Sequence, residues 1–150
     1  MIPARRGMAL PLALLALVVI AALVAGGFAA ALLEQRIGRN VLYAVQAEGA
    51  AQAGAVVVIG GWDDHGLGVL APGASAALTP VQLPGRTVYS ATVSRLNGEL
   101  FLVRVESIRN DAAGEMLARR ELGLFVRTAD TAVPGSPPVR PLANRSWVAP

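Results

Sequence analysis

A run of residues without a single charged side chain, from Met8 to Leu33, constrains the fold of this chain more than any other feature. An α-helix rises 1.5 Å per residue, so about 20 apolar residues cross the hydrocarbon layer of a bilayer, and this run is longer than that. Arg5 and Arg6 precede the run, and Glu34 and Arg36 follow it. Because basic residues tend to stay on the cytoplasmic side, the sequence predicts a single-pass helix with a cytoplasmic N-terminus and an exported remainder.

The same run has two other interpretations. A cleaved secretory signal peptide has an apolar segment of about 7–15 residues and ends in a small-x-small site, which residues 29–31 could supply. The run is about twice that length, which argues against ordinary cleavage. An uncleaved signal anchor that carries a periplasm-facing binding module is the second hypothesis.

The helical pattern continues beyond the uncharged run. Residues 32–54 contain no proline, and their apolar positions recur every three or four residues, at Ile37, Val41, Ala44 or Val45, and Ala51. This spacing predicts one helix from Ala9 to about Ala55, amphipathic in its second half. The glycines at 38, 49 and 54 weaken it, each by about 1 kcal/mol relative to alanine. The β-branched segment 55–59 fits either a strand or the last turn of this helix.

Three later segments have the composition and alternation of strands. Residues 87–96, 100–109 and 117–127 are separated by Asn97-Gly98, a two-residue hairpin signal, and by a second turn at residues 110–114. Apolar side chains on one face of such an antiparallel meander need a cover, and we expect the second half of the helix to supply it. The sequence therefore predicts an α+β fold, divided into residues 8–33 (membrane-spanning), 34–55 (amphipathic helix), 56–127 (β-rich exported domain) and 128–150 (a Pro-rich, extended tail).

Composition excludes several function classes. Beyond residue 33, eleven arginines face ten acidic residues with no basic and aromatic cluster, so we expect no nucleic-acid partner. The chain lacks cysteine, and it contains no recognisable catalytic motif. Asp63, Asp64 and His65 are the one cluster that could bind a metal or perform acid–base chemistry, but a calcium or zinc site would need further ligands. We expect a solvated turn there, no cofactor and no enzyme.

The N-terminus resembles the type III signal of type IV prepilins, in which Arg6-Gly7 is followed at once by an uncharged helix. The resemblance implies a leader peptide of residues 1–7, cut by prepilin peptidase between Gly7 and Met8, with Met8 then N-methylated. Residues 33–40 and then 47–51 are similar to the N-terminal region of PilX-type minor pilins, which carry a Leu-Glu-Glu-Arg-like phrase before an Ala/Glu-rich helix. The resemblance covers about residues 5–54.

One position departs from the major pilins. They carry a glutamate at the fifth mature position, and here that position is Leu12. Minor pilins of the PilX type and the GspK-type tip pseudopilins often lack this acid, so the resemblance implies a minor or initiating subunit. Pro11 falls in the first turn of the implied mature helix, where its missing N–H does little harm. Gly26-Gly27 is either a helix–helix contact or a point of flexibility.

The resemblance also implies a function and a location. A PilX-like minor pilin or pseudopilin is a structural subunit of a type IV pilus or a type II secretion filament. Its partners are the membrane, prepilin peptidase and other pilin subunits that pack against its N-terminal helix. It resides in the bacterial inner membrane with its C-terminal domain in the periplasm until it joins a filament.

Overall fold

The computed structural model describes residues 9–129, 138–142 and 147–148. The chain begins with one helix, α1 (Ala9–Gly60), and a short 3-10 helix follows at Leu67–Val69. Seven strands come next: β1 (Ser75–Ala77), β2 (Val81–Leu83), β3 (Thr87–Arg95), β4 (Leu100–Asn110), β5 (Met116–Thr128), β6 (Val139–Pro141) and β7 (Trp147–Val148).

Residues 9–39 of α1 form one unit, which we call the apolar segment. All of its large apolar side chains from Leu10 to Leu33 are exposed. Among the described residues, α1 is the one helix long and apolar enough to cross a membrane. An exposed apolar surface of this extent is suited to lipid or to other apolar helices rather than to water.

Residues 40–148 form the second unit, which we call the sheet domain. Its strands make one antiparallel sheet in the order β1-β3-β4-β5-β6, with β2 also on β3 and β7 also on β5. The predicted α+β class and the three-strand meander are confirmed, since β3, β4 and β5 match the predicted segments to within one residue at each end. The second half of α1 covers one face of the sheet, as predicted.

The hairpin between β3 and β4 differs from the predicted two-residue turn. Leu96 and Leu100 still pair through a backbone hydrogen bond, so the loop contains three residues, 97–99. The Asn97 side chain explains the difference, because its Oδ1 accepts the amides of Glu99 and Leu100 at 3.0 and 2.8 Å. The second turn follows the prediction, and Asp111 organises it by accepting the amides of Ala113 and Glu115.

The helix ends later than the sequence indicated, and this resolves the ambiguous segment 55–59. Ala55 and Val58 are buried on the sheet, one helical turn apart, so packing outweighs the β preference of the valines. Gly60 and Gly61 then end the helix, and the following turn directs Trp62 into the core. The Trp62 ring meets Phe101 edge-on, with ring centroids 5.1 Å apart.

Four short strands were not predicted. β1 and β2 come from the Pro- and Gly-punctuated segment before β3, and β6 and β7 come from the Pro-rich tail. β6 pairs with residues 126–128 of β5, and β7 pairs with residues 123–124. The described parts of the tail are therefore extended, as predicted, but they belong to the sheet.

Candidate interaction surface on the helix

The residues predicted to be processed lie at the N-terminus. Arg5, Arg6, Gly7 and Met8 are outside the described residues, so the predicted cleavage and methylation site stays a prediction. Pro11 and Leu12 lie in the first turn of the described helix, and Leu12 is 63% exposed. The predicted fifth residue after cleavage is therefore an apolar side chain on the surface of this helix.

Gly26 and Gly27 lie in the middle of the apolar segment. A Cβ atom added at either position would meet nothing within 4 Å. Neither glycine is required by contacts within the described chain. The two alternatives for this pair, a contact with another helix or a flexible point, therefore both stay open.

The helix meets the sheet through small side chains. The buried positions between 47 and 58 are mostly alanine and glycine: Ala47, Ala50, Ala51, Gly54 and Ala55. A Cβ atom on Gly54 would lie 2.7 Å from Cδ2 of Tyr89 and 3.0 Å from Cγ1 of Val105. The helix backbone thus approaches β3 and β4 too closely for any residue larger than glycine at this position.

Polar contacts fix the helix on the sheet near its entry into the domain. Arg109 of β4 donates from Nε to Oε1 of Gln46 at 3.0 Å, and its guanidinium lies 5.9 Å from the ring centroid of Tyr43. Ser107, fully buried, donates to the carbonyl oxygen of Ala47. These contacts join one face of the helix to β4 and leave its opposite face uncovered.

That opposite face carries large apolar side chains. Val41, Leu42, Val45, Val56 and Val57 are all exposed, between 53% and 70%. The apolar spacing recognised in the sequence at Val41 and Val45 therefore does not mark the surface that the sheet covers. We call the five residues the outer helix face.

A shallow apolar groove adjoins this surface within the sheet domain. It has a volume of about 300 Å³ and lies between the helix, at Gly49 and Ala53, and the turn after β2, at Leu83 and Pro84. A Cβ atom added at Gly49 would meet nothing within 4 Å, so the groove is open above this residue. Its lining is suited to an apolar side chain from outside the domain.

The one cluster that the sequence offered for metal binding or acid–base chemistry does not gain further ligands among the described residues. Asp63, Asp64 and His65 are exposed in the turn after the helix. Among the described residues, no three histidine, aspartate or glutamate side chains converge as a metal site would require. The turn has a structural role instead, because Leu67 donates its amide to the carbonyl of Trp62 and closes the loop beneath that side chain.

The fold is a pilin-like arrangement, in which a long apolar N-terminal helix packs by its second half on a small antiparallel sheet. Comparison with known protein families, with curated proteins and with solved structures finds no match for this chain. The fold supports a pilin-like shape, and the resemblance to PilX-type minor pilins rests on the N-terminal residues alone.

The sequence pattern located only part of the side of the helix that the sheet covers. Of the predicted stripe, Ala51 is buried on the sheet, whereas Ile37, Val41 and Val45 are exposed. The sheet selects the alanine and glycine positions. The run of small residues from Ala47 to Ala55 was the available signal, because small side chains permit close approach of backbones.

Proposed function

We propose that this chain is a non-enzymatic minor pilin or pseudopilin. It is a structural or initiating subunit of a type IV pilus or a type II secretion filament, similar to PilX-type proteins. In this proposal prepilin peptidase cuts after Gly7, and Met8 is then N-methylated. The chain resides in the bacterial inner membrane as a single-pass protein with a cytoplasmic N-terminus and a periplasmic sheet domain.

The outer helix face carries this proposal. A membrane anchor needs about 20 apolar residues, and the uncharged run from Met8 to Leu33 already supplies them. Val41, Val45 and Val56 follow the charged residues 34, 36 and 39 in the sequence, yet they are exposed and apolar. A helix that only anchors the chain in the membrane does not need these exposed apolar side chains. A helix that packs against the helices of other subunits does need them.

The energy available from covering this face is substantial. Full burial of one valine or leucine side chain contributes about 1.5–3 kcal/mol. Five such residues are exposed on this face, and the groove beside Gly49 adds further apolar surface within the sheet domain. Gly49 and Ala53 let a partner helix approach closely between the larger side chains.

Leu12 supports a particular kind of subunit. In the major pilins the glutamate at this position is thought to pair with the N-terminal amine of a neighbouring subunit. Leu12 cannot form that ion pair. The chain is therefore proposed as a minor or initiating subunit and not as the repeating subunit of a filament.

The deciding experiment is the intact mass and N-terminal sequence of the membrane-extracted protein, with and without co-expressed prepilin peptidase. A chain that begins at methylated Met8 only when the peptidase is present supports the proposal. The Gly7→Asp variant is expected to keep its full length. Ala4→Asp introduces the same charge but leaves the cleavage glycine intact, so we expect it to be processed.

Two other outcomes would reject the proposal. A chain that still begins at Met1 or Ile2 in the presence of active peptidase would point to a signal-anchored, periplasm-facing binding module. A chain that begins near residue 30 would point to an ordinary exported protein whose apolar segment is removed.

A further inference from the structure

The second half of α1 and strand β4 run in opposite directions within the sheet domain. Ser107 of β4 donates to the carbonyl of Ala47. Phe101, which is earlier in β4, packs against Trp62, which is later in the chain than Ala47. The C-terminal end of β4 therefore points back toward Asn40, where the sheet domain begins.

The turn between β4 and β5 extends past the first residue of the sheet domain. From Ser107 to Asn110 a strand advances about 10 Å at 3.3 Å per residue. From Ala47 back to Asn40 the helix covers about the same distance at 1.5 Å per residue. The end of β4 is thus about level with Asn40, and the turn at 111–115 lies beyond it. We call residues 110–117 the β4–β5 tip.

The β4–β5 tip lies at the end of the sheet domain from which the chain leads to the membrane. Leu33, the last residue of the uncharged run, precedes Asn40 by only a few residues. Residues 33–40 belong to α1 and span about 10 Å. When the uncharged run fills the hydrocarbon layer, the lipid headgroups begin within this distance of Asn40. The tip is the part of the β4–β5 hairpin nearest to them.

The surface of the tip is apolar in its second half. Met116 is 61% exposed and Leu117 is 38% exposed. Asn110 pairs with Met116 and the preceding residue of β4 pairs with Ala118, so Leu117 has no partner on β4. This irregularity, which has the register of a β-bulge, leaves two consecutive large apolar side chains at the surface. Adjacent apolar residues at the end of a domain that faces a bilayer are suited to contact with lipid.

Two arginines at this end of the sheet form no ion pair with any described residue, Arg86 and Arg120. Arg86 lies in the turn between β2 and β3, and its main-chain carbonyl accepts the amide of Asn110. The Arg120 guanidinium donates to the carbonyl of Arg119, at the long distance of 3.4 Å. Both side chains belong to exposed residues. A guanidinium binds phosphate oxygens through parallel hydrogen bonds, so both are suited to lipid phosphates.

Two carboxylates at the tip limit the depth that it can reach. Asp111 accepts the amides of Ala113 and Glu115, so its side chain is held within the turn. Glu115 itself is exposed. Charged groups of both signs beside two apolar residues suit the headgroup layer and its boundary with the acyl chains, and not the hydrocarbon interior.

We propose that the β4–β5 tip lies in the headgroup layer of the bilayer that anchors the chain. Met116 and Leu117 contact the acyl chains where these begin, and Arg86 and Arg120 bind lipid phosphates. The contact holds the sheet domain on the membrane surface before the subunit joins a filament. This inference rests on the membrane anchoring that is part of the proposed function, and it does not depend on processing at Gly7.

The test measures the depth of a spin label at the tip. The chain contains no cysteine, so a single introduced cysteine is labelled selectively. Met116→Cys is the probe, and Leu96→Cys is the control, because Leu96 is 46% exposed at the opposite end of the strands. The full chain is reconstituted in vesicles of phosphatidylcholine, or of an equal mixture of phosphatidylcholine and phosphatidylglycerol. A water-soluble nickel chelate is present on both sides of the membrane.

Oxygen concentrates in lipid and the nickel chelate stays in water, so their effects on the label report its depth. We expect oxygen to relax the Met116 label more than the chelate does, and the reverse for the Leu96 label. In the Met116-labelled chain, Arg120→Glu should shift the label toward water by about fivefold or more in the mixed vesicles, the usual effect of one basic residue near an anionic surface. Arg140→Glu, an exposed arginine on β6 beside the far end of β5, is the matched control and should have no effect.

Flotation of the labelled chain with the vesicles separates this proposal from the proposed function. A chain that floats but has a Met116 label as accessible to the chelate as the Leu96 label would overturn the tip contact and leave the anchoring intact. A chain that does not float would overturn both. A Met116 label shielded from both reagents, increasingly so at higher protein-to-lipid ratio, would show that a protein covers the tip instead of lipid. Equal immersion of the Leu96 label would also overturn the proposal, because the contact would then not be specific to the tip.

Discussion

Ser107 of β4 donates a hydrogen bond to the main-chain carbonyl of Ala47, with 2.5 Å between the two oxygens. Both residues are fully buried, and they lie sixty positions apart in the sequence. Ala47 is inside a helix, so its carbonyl is exposed to such a donor only because the side chains around it are small. The bond therefore fixes the position of the helix along the sheet.

Ser107→Ala is expected to lower the free energy of unfolding of the sheet domain by about 1 kcal/mol, the usual net contribution of one hydrogen bond. The measurement is denaturant unfolding of the full chain in micelles, followed by tryptophan fluorescence. Ser90→Ala, on the other face of β3, is the control and should change stability by less than about 0.5 kcal/mol. Equal losses in both variants would contradict the importance of the bond.

Gly54 and Gly49 lie on the same helix but differ in their surroundings. Gly54→Ala places a methyl group 2.7 Å from the buried ring of Tyr89, so we expect a loss of about 1–3 kcal/mol in spite of the better helix propensity of alanine. Gly49→Ala meets no atom within 4 Å and should stabilise the helix by up to about 1 kcal/mol. The two midpoints of unfolding, compared under the same conditions, should move in opposite directions. An increase in stability in both variants would show that the helix lies further from Tyr89 than this contact distance implies.

Arg95 joins the loop after the helix to the β3–β4 hairpin. Its guanidinium donates to the carbonyls of Leu70 and Gly98, each at 2.6 Å, and lies 5.3 Å from the ring centroid of Phe101. Lysine cannot donate in this forked geometry, so Arg95→Lys should destabilise the domain by about 1.5–3 kcal/mol. Amide exchange in residues 67–70 and 97–99 should accelerate.

The control for Arg95 is Arg104→Lys. Arg104 forms an exposed ion pair with Glu121, and such pairs contribute about 0–1 kcal/mol. If Arg95→Lys is as mild as Arg104→Lys, the backbone hydrogen bonds of Arg95 with Gly73 and Ala74 and the packing of Trp62 on Phe101 hold the loop and the hairpin together without the guanidinium.

The outer helix face tests the proposed assembly. Val45→Glu and Val56→Glu place a charge where a neighbouring helix is proposed to pack, so we expect a strong loss of the protein from sheared filaments. Each valine is exposed, so stability of the isolated chain should change by less than about 0.5 kcal/mol. Val69→Glu, on the short 3-10 helix and 88% exposed, is the matched control and should be incorporated normally. Normal incorporation of all three variants would argue against packing through this face.

The turn containing Asp63, Asp64 and His65 is expected to have no role in metal binding or catalysis. Replacing all three residues with alanine should change stability by less than about 0.5 kcal/mol per residue, because the side chains are exposed. Metal content of the purified protein, measured by mass spectrometry before and after substitution, checks this. A stoichiometric ion that disappears in the triple variant would reopen the possibility of a metal site.

The local pattern of the sequence determined the elements that have a strong period. The uncharged run predicted the apolar segment, and the alternation of Phe101, Val103 and Val105 predicted the buried face of β4. Each of these signals is repeated over many residues, so a single misplaced side chain does not obscure it. The α+β class and the central meander could therefore be predicted before the structure was known.

Contacts between distant parts of the chain decided the rest. Residues 55–59 are helical because Ala55 and Val58 pack on the sheet. This packing outweighs the preference of the three valines in the segment for a β-strand. β1, β2, β6 and β7 are two or three residues long, too short to show a period, and they exist because β3 and β5 offer edges to pair with. No local signal distinguishes such strands from loops.

The interaction surfaces divide in the same way. The sequence by itself determined that the N-terminal helix is apolar. Only the tertiary structure decided that the sheet takes the alanine and glycine side of the helix and leaves Val41, Val45 and Val56 exposed. It also decided that Arg109 and Arg120, eleven positions apart in sequence, become diagonal neighbours on one face of the sheet. The physical reason is that burial and charge proximity depend on which segments meet, and no local pattern in the chain records that.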